Sequence, residues 1–241
     1  GDTNSFAQYA TEWSDDAPQA ATATPITTSI GVTVPNIDAA LTPLIPATGT
    51  VTDAVSGLPI AGVGPDKASS MAAATGRLIG LGHRKISLLC RRQRRLPQPG
   101  LSERAFLDEL AAHGIPTGAF NLPDWEESMK GFKALLDSLF AVTPPTALIL
   151  DEAFLFNAAF HYLAKRNLRV PQDVSLVCTD DDPMFAWCEP TIAYIRWDSR
   201  PVVRRVVRWA DNVSQGKEDR RQSLTKAEFV EGGTIGPVSE S

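Results

Sequence analysis

From residue 68 onward, hydrophobic residues alternate between helical and strand periods. The segment ASSMAAATGRLIGLG has Met71, Ala74 and Leu78 at helical spacing, and Gly82 ends it. The next segment, KISLLC, is a short apolar run of the kind that forms a buried strand. The two segments predict one helix followed by one strand, the repeating unit of an α/β protein.

The same alternation continues towards the end of the chain. Helices are predicted over 101–114, 124–142, 152–167 and 199–217, and strands over 119–122, 146–151, 173–179 and 192–198, with a last short strand from 227. Because the strands are nearly continuous apolar runs, the pattern indicates a parallel sheet with helices on both faces. The predicted fold class is therefore α/β, a parallel sheet flanked by helices.

Capping residues and amphipathic faces refine three of these helices. Ser102 is the predicted N-cap of the helix over 101–114, and Asp124 lies near the cap of the next one. That helix also places Met129 on its apolar side. In the last helix, four valines are expected to face inward and three arginines outward: Val202, Val203, Val206 and Val213, and Arg204, Arg205 and Arg208.

The N-terminal quarter has a different composition. Residues 1–28 are rich in Ala, Thr, Ser and Asp without a sustained period, which is typical of a flexible tail. A β-branched, alternating segment around 30–35 predicts a strand, and Pro and Gly then predict loops with one or two short strands. We therefore divide the chain into a tail (1–28), an N-terminal segment (29–65), an α/β lobe (66–190) and a crossover strand, helix and C-terminal strand (191–241).

Composition and charge narrow the class of protein. Hydrophobic residues make up 43% and charged residues 21% of the chain, as in a globular protein. The net charge of -5 argues against a nucleic-acid-binding surface over the whole chain. No apolar run reaches the roughly 20 residues of a membrane helix, and no secretory signal is visible. The chain begins at Gly1 rather than at Met, as an excised fragment would, and we expect a cytoplasmic protein with no membrane partner.

Cysteines and histidines give no sign of a catalytic or metal centre. Cys90, Cys178 and Cys188 lack metal-ligand spacing, and we expect three reduced thiols that are buried or half-buried. The three histidines form no HExxH motif, and neither GxSxG nor CxxC occurs. We therefore expect no cofactor and no catalytic residue.

Polar residues follow the carboxyl ends of three predicted strands, where parallel sheets bind ligands. Arg91 begins an arginine-rich run after one strand, Asp151 and Glu152 follow another, and Asp180 leads an aspartate cluster after a third. The carboxyl ends of neighbouring parallel strands meet at one edge of the sheet. This edge is therefore the predicted binding site.

The aspartate cluster has three interpretations. Asp180 and Asp181 can accept hydrogen bonds from ligand hydroxyls, as carboxylates do in sugar sites. The cluster can instead hold Mg²⁺ or Ca²⁺, which prefer oxygen ligands. It can also be a turn whose side chains cap backbone amides before Pro183. We favour ligand contact for Asp180 and expect no metal.

Arginines and aromatic rings complete the candidate site. Arg91 and Arg94 can grip an anionic effector through bidentate hydrogen bonds, and a solvated loop is the alternative. Trp187 is a candidate wall for the apolar face of a sugar. Core or hinge packing is the alternative for Trp187. The same alternative applies to Phe185 and Trp197, the other two aromatic residues near the predicted crossover.

Three stretches resemble the effector-binding domains of LacI/GalR-type transcriptional regulators. DKASSMAAATGRLIGLGHRKISLL resembles the segment in which a helix ends in LGH and basic residues lead into a strand. PPTALIL and NLRVPQDVSLVCTDDDP resemble a PTA strand that is followed, one helix later, by RVPxDVSVVGFDD. EPTIAYIRWDSRPVVRRVVRWA stands in the place of the PPLTTVRxP crossover and its helix. The resemblance covers roughly residues 58–236.

The resemblance implies a periplasmic-binding-protein-like type I fold, with two lobes around a ligand cleft. It also implies a homodimer and a DNA-reading head that this chain lacks. Far fewer residues precede the DK helix here than in the family, so we expect a shortened N-terminal lobe over 29–65. The family's cleft arginine falls on Ser102, the first residue of its ND pair on Glu152, and the first aspartate of its FDD on Asp180.

The predicted function is an effector-sensing domain without catalytic activity. It would bind a sugar or a sugar-derived acid and modulate DNA binding through a head outside this chain, by shifting the population of closed and open forms. Three alternatives stay open at this point. They are a metal-dependent enzyme that uses the cluster Asp180–Asp182, a stand-alone solute-binding protein, and a degenerate domain that only dimerises.

Overall fold

The structure is a computed structural model that describes residues 61–92 and 99–238. The predicted tail, the predicted strand at 30–35 and Arg94 lie outside these residues. The described elements are, in chain order, β1 (Gly62–Pro65), α1 (Lys67–Gly80), β2 (Ile86–Leu89), α2 (Leu101–Ala112), α3 (Met129–Val142), β3 (Ala147–Leu150), α4 (Ala153–Lys165), β4 (Ser175–Cys178), a 3₁₀ helix (Pro183–Trp187), β5 (Ala193–Trp197), α5 (Ser199–Ser214), β6 (Gln222–Thr225) and β7 (Ala227–Val230).

Five strands form the main sheet, in the order β2-β3-β4-β5-β7. Strands β2 to β5 run parallel to one another, and β7 is antiparallel to β5. The register places Leu89 of β2 beside Leu150 of β3, and Leu150 beside Cys178 of β4. These three strands therefore end at the same level. A separate two-stranded sheet pairs β1 with β6 in parallel.

Alternate residues of the central strands point to opposite faces of the main sheet. Ala147 and Ile149 of β3 join the core formed with α1 and α2. Leu148 and Leu150 join a second core, formed with α3 and α4. Full burial of each such leucine or isoleucine contributes roughly 1.5–3 kcal/mol. Because helices cover both faces, β2, β3 and β4 are buried along their whole length, and the predicted α/β fold is confirmed.

Helix α1 begins directly after the β1–β6 sheet. The carboxylate of Asp66 is its N-cap and accepts hydrogen bonds from the Ser69 backbone nitrogen at 3.2 Å and the Ser69 hydroxyl at 2.7 Å. The Asp66 backbone nitrogen donates to the Thr225 carbonyl at 2.8 Å, which ties this turn to the end of β6. Asp66, the residue before Lys67, thus ties the start of α1 to the end of β6.

Residues 119–122 form a turn, so the strand predicted there is wrong. The Asn121 side chain replaces strand pairing: its Oδ1 accepts from the Gly118 nitrogen at 3.0 Å, and its Nδ2 donates to the Ile86 carbonyl at 3.0 Å. The Leu88 nitrogen donates to the Asn121 carbonyl at 2.7 Å. Asparagine offers the backbone local partners that compete with a β-ladder, and here those partners prevail.

The predicted N-caps of α2 and α3 are also wrong. Gly100 is the N-cap of α2, so Ser102 lies inside the first helical turn and cannot serve as the cap. Helix α3 is capped by Ser128 rather than by Asp124, because the Ser128 side chain accepts from a backbone nitrogen of the first turn. Met129 is the first residue of this helix and is 90% exposed, not part of its apolar face.

Helix α5 departs from the prediction at Arg205 and at three valines, whereas Arg204 and Arg208 are exposed as predicted. Arg205, expected to face solvent, is buried, and its two terminal nitrogens donate to the Asp219 carboxylate at 3.1 and 2.8 Å. The same guanidinium donates to the Arg221 carbonyl at 2.8 Å. Among the described elements, α5 packs mainly on β1 and not on the main sheet, so its buried side is set by this polar contact. Three of the valines expected to be buried are exposed: Val203, Val206 and Val213.

Two described elements are absent from the sequence prediction. Strand β6 reads QSLT, with alternate residues exposed, and carries little apolar signal. The 3₁₀ helix follows the aspartate cluster and begins at Pro183, where the fixed φ of proline suits a helix start. In the part of the chain that the structure describes, no helix combines the length and the apolarity needed to cross a bilayer.

Candidate functional site

The ends of β2, β3 and β4 bring five polar residues to one edge of the main sheet. Arg91 lies just beyond β2, Asp151 and Glu152 directly follow β3, and Thr179 and Asp180 directly follow β4. The in-register pairing of the three strands keeps these residues side by side. This is the edge at which parallel α/β sheets bind ligands. We call these five residues, together with Lys67, the carboxyl-edge cluster.

Asp151 and Thr179 form the buried part of the carboxyl-edge cluster. The Thr179 hydroxyl donates to the Asp151 Oδ1 at 3.0 Å, and the two residues are only 4% and 2% exposed. A carboxylate is costly to bury unless hydrogen bonds replace its water. The threonine therefore holds Asp151 in a fixed orientation between two strand ends.

Lys67 and Asp180 form an ion pair across the cluster. The Lys67 ammonium donates to the Asp180 Oδ1, and the two side chains are 17% and 28% exposed. The partners are 113 positions apart and come from the start of α1 and the end of β4. Sequence reasoning missed Lys67. The signal that points to it is its place directly after Asp66 in the DK segment.

Arg91 and Glu152 form a second ion pair, between the guanidinium Nη2 and the carboxylate Oε1. Glu152 is the N-cap residue of α4, yet its side chain makes no capping hydrogen bond. Its backbone has φ 68° and ψ 149°, a region that favours glycine. A non-glycine residue in such a region is strained by about 1–3 kcal/mol, and such strain concentrates at functional sites.

The arginine-rich run is described only at its start. Arg94 lies outside the described residues. Arg92 is exposed, and its backbone nitrogen donates to the Glu127 carboxylate at 2.7 Å. Within the described part of the run, Arg91 is the arginine that reaches the carboxyl-edge cluster.

A small cavity connects the cluster to α2. Four polar residues are among those that line it: Lys67, Ser102, Asp151 and Thr179. Its cavity volume is about 10 Å³, room for about one water molecule. Ser102, although it does not cap α2, therefore lies beside the cluster. The remaining lining residues are Met71, Leu88, Cys90, Glu103 and Ile195.

The three aspartates at 180–182 have separate surroundings. Asp180 pairs with Lys67, and Asp181 is exposed. Asp182 accepts a hydrogen bond from the Met184 backbone nitrogen at 2.9 Å and caps the 3₁₀ helix, as the turn interpretation expects. Within residues 61–92 and 99–238, no three His, Cys, Asp or Glu side chains are grouped to hold a metal ion.

Trp187 and Phe185 point in different directions from the 3₁₀ helix. Phe185 is buried between Phe156 and Tyr194, with ring centroids 5.7 and 5.6 Å away. Core packing is therefore the role of Phe185. Trp187 is 90% exposed and presents its ring to solvent.

The buried Cys178 thiol and the buried His83 imidazole lie in environments that suit a structural role. All three cysteines are free, two buried and one half-buried, as predicted. Burial raises the pKa of the Cys178 thiol to about 12, which keeps it protonated and unreactive. His83 lies 2.9 Å from the Gly236 carbonyl and 3.0 Å from the Thr146 hydroxyl, and burial lowers its pKa. Its role is to join the end of α1 to the C-terminal segment.

Comparison with known proteins identifies the domain. The family model of the periplasmic binding protein-like domain matches residues 75–235, more than half of the chain. The HTH-type transcriptional regulator MalR of Streptomyces coelicolor is 26% identical over 148 residues. That similarity covers 56% of this chain and 40% of MalR, so the chain spans less than half the length of this curated relative.

Solved structures of transcriptional regulators share the fold. The LacI family regulator of Enterococcus faecium with bound ribose has a TM-score of 0.63 at 17% identity, over 73% of this chain and 66% of its own. The CelR–cellobiose complex has a TM-score of 0.63 at 20% identity, over 74% of this chain and 56% of its own. Together with the MalR similarity, they confirm the predicted resemblance to effector-binding domains of LacI/GalR type. The chain belongs to the family of periplasmic binding protein-like domains.

Proposed function

We propose that this chain is the effector-sensing domain of a bacterial transcriptional regulator and binds a small neutral sugar at its carboxyl-edge cluster. One observation carries the proposal: three in-register strands end in a row of hydrogen-bonding side chains at the ligand-binding edge of the sheet. Two regulators of the same fold hold ribose and cellobiose. The MalR similarity adds a third regulator to this comparison.

The charges of the cluster favour a neutral, hydroxyl-bearing ligand over a sugar-derived acid. Asp151, Glu152 and Asp180 contribute three carboxylates, against the two cations Lys67 and Arg91. Both cations are already paired with carboxylates. An anionic ligand would meet net negative charge, whereas sugar hydroxyls can donate hydrogen bonds to the carboxylates. The exposed ring of Trp187 offers an apolar surface for the face of a sugar ring.

In the intact regulator, the effector changes DNA binding by a separate DNA-reading head. A ligand acts in this way by binding one of two domain arrangements more tightly than the other. We further propose that the regulator is a cytoplasmic homodimer, since the matched relatives are transcriptional regulators. The geometry gives no support to the metal-dependent alternative, because Asp180 and Asp182 have different partners.

Isothermal titration with D-ribose, cellobiose and D-gluconate tests the proposal. We expect saturable binding of a neutral sugar and none of gluconate. Asp180→Ala removes a charged hydrogen-bond acceptor, which is worth about 1.5–3 kcal/mol, so affinity falls about 10- to 150-fold. Asp181→Ala, at the exposed neighbouring carboxylate, is the matched control and leaves affinity unchanged. Equal losses in both variants, or none in Asp180→Ala, would remove Asp180 from the site.

A further inference from the structure

We propose that Lys67 is a built-in competitor of the effector. In the free chain its ammonium group is hydrogen-bonded to the Asp180 carboxylate. When the effector binds, a donor group of the ligand replaces the ammonium at this carboxylate. The inference rests on the proposed function and specifies the chemistry of the ligand at this point. The group that replaces Lys67 is a hydroxyl or an amine, because a carboxylate accepts hydrogen bonds and repels anions.

The first support is that little free space remains beside the Lys67–Asp180 pair. Lys67 donates to Asp180 and also lines the small cavity beside Asp151 and Thr179. With a volume of about 10 Å³, the cavity holds about one water molecule and no part of a sugar ring. Lys67 is one of the residues that line this space, and movement of its side chain enlarges the room for ligand atoms beside Asp180.

The second support is that the side chain can move while its backbone stays in place. The Asp66 cap and the hydrogen bond from Asp66 to Thr225 fix the first turn of α1. The Lys67 side chain is a flexible four-carbon stem, and at 17% exposure it already reaches solvent. The free ammonium is strongly hydrated, so water offsets part of the cost of breaking the ion pair.

Chemical rescue tests whether Asp180 accepts a donor in place of Lys67. Lys67→Ala removes the atoms of n-propylammonium, and we expect this cation to raise the unfolding temperature of the variant in a saturable way, at constant ionic strength. The cation should have no such effect on the Lys67→Ala/Asp180→Asn double variant. Lys133→Ala is the matched control, because the Lys133–Asp137 pair lies on the surface, with side chains 66% and 36% exposed. A response of Lys67→Ala no larger than that of Lys133→Ala overturns the proposal.

Sugar titration tests the competition itself. Lys67→Met keeps most of the apolar stem and removes the charge, so a sugar no longer has to displace an ammonium. We expect D-ribose or cellobiose to bind Lys67→Met about tenfold more tightly than the unmodified chain. Equal or weaker binding to the variant overturns the proposal. If neither chain binds either sugar, the proposed function fails, and the n-propylammonium result alone decides the role of Lys67.

Discussion

The strained backbone at Glu152 predicts that a glycine variant at this position is more stable than an alanine variant. Glu152→Gly and Glu152→Ala both remove the carboxylate that pairs with Arg91. Only glycine adopts φ 68° and ψ 149° without steric cost, and the strain on other residues is about 1–3 kcal/mol. We therefore expect the glycine variant to be about 2 kcal/mol more stable than the alanine variant.

The N-cap of α3 provides the matched control. Ser128 has φ -145° and ψ 159°, an extended conformation that any residue adopts. Ser128→Gly and Ser128→Ala both lose the hydrogen bond from the Gly131 nitrogen, which is 2.9 Å long. At an unstrained N-cap, glycine is better than alanine by less than about 1 kcal/mol. The stability advantage of glycine over alanine at Glu152, minus the same advantage at Ser128, therefore measures the backbone strain at Glu152.

Urea unfolding followed by circular dichroism measures the four stabilities. With a slope of about 2 kcal/mol per molar urea, the expected difference at Glu152 moves the unfolding midpoint by about 1 M. The corresponding difference at Ser128 is less than about 0.5 M. A glycine advantage at Glu152 that is no larger than the one at Ser128 refutes the strain argument.

Three further predictions concern a buried histidine, a buried arginine and an exposed tryptophan. Burial lowers the pKa of His83 from its ordinary 6.5. The stability that neutral His83 contributes is therefore complete above about pH 6.5 and is lost as the pH falls below that value. On acidification, the urea midpoint of the unmodified chain should drop more steeply than that of His83→Gln. Arg205→Met deprives Asp219 of its bidentate partner and lowers the urea midpoint, whereas Arg204→Met, on the exposed side of α5, leaves it unchanged. Trp187→Ala leaves the midpoint unchanged because the ring is 90% exposed, but it weakens sugar binding in isothermal titration; unchanged affinity would exclude Trp187 from the site.

The fold could be predicted where local pattern and tertiary packing agree. Strands β2, β3 and β4 of the main sheet are buried on both faces, so their mostly apolar runs directly report their environment. The prediction fails at 119–122, where the side chain of Asn121 supplies hydrogen bonds that an apolar pattern does not encode. It also fails at α5, where three of the four valines are exposed and the buried side carries Arg205 and its contact with Asp219.

The position of the candidate site could be predicted, but its pairings could not. Topology places the residues after β2, β3 and β4 at one edge, so Arg91, Glu152 and Asp180 follow from the strand prediction alone. The partner of Asp180 is Lys67, 113 positions away on another element. The DK segment marks Lys67 as a candidate, but its contact with Asp180 depends on how α1 packs against the sheet, and the local sequence does not give that packing.

The Lys67–Asp180 pair has the size that a ligand-operated switch requires. Lys67 lies two residues beyond β1, whose sheet with β6 is separate from the main sheet. The neighbouring Asp66 donates a backbone hydrogen bond to Thr225 at the end of β6. A hydrogen bond to a charged group contributes about 1.5–3 kcal/mol, which overlaps the coupling free energies of about 1–3 kcal/mol found between allosteric sites. A ligand that replaces Lys67 in only one of two arrangements can therefore shift the balance between them by about 10- to 150-fold. A ligand that binds equally well with the pair intact has no differential affinity to work with, and it shifts nothing however tightly it binds.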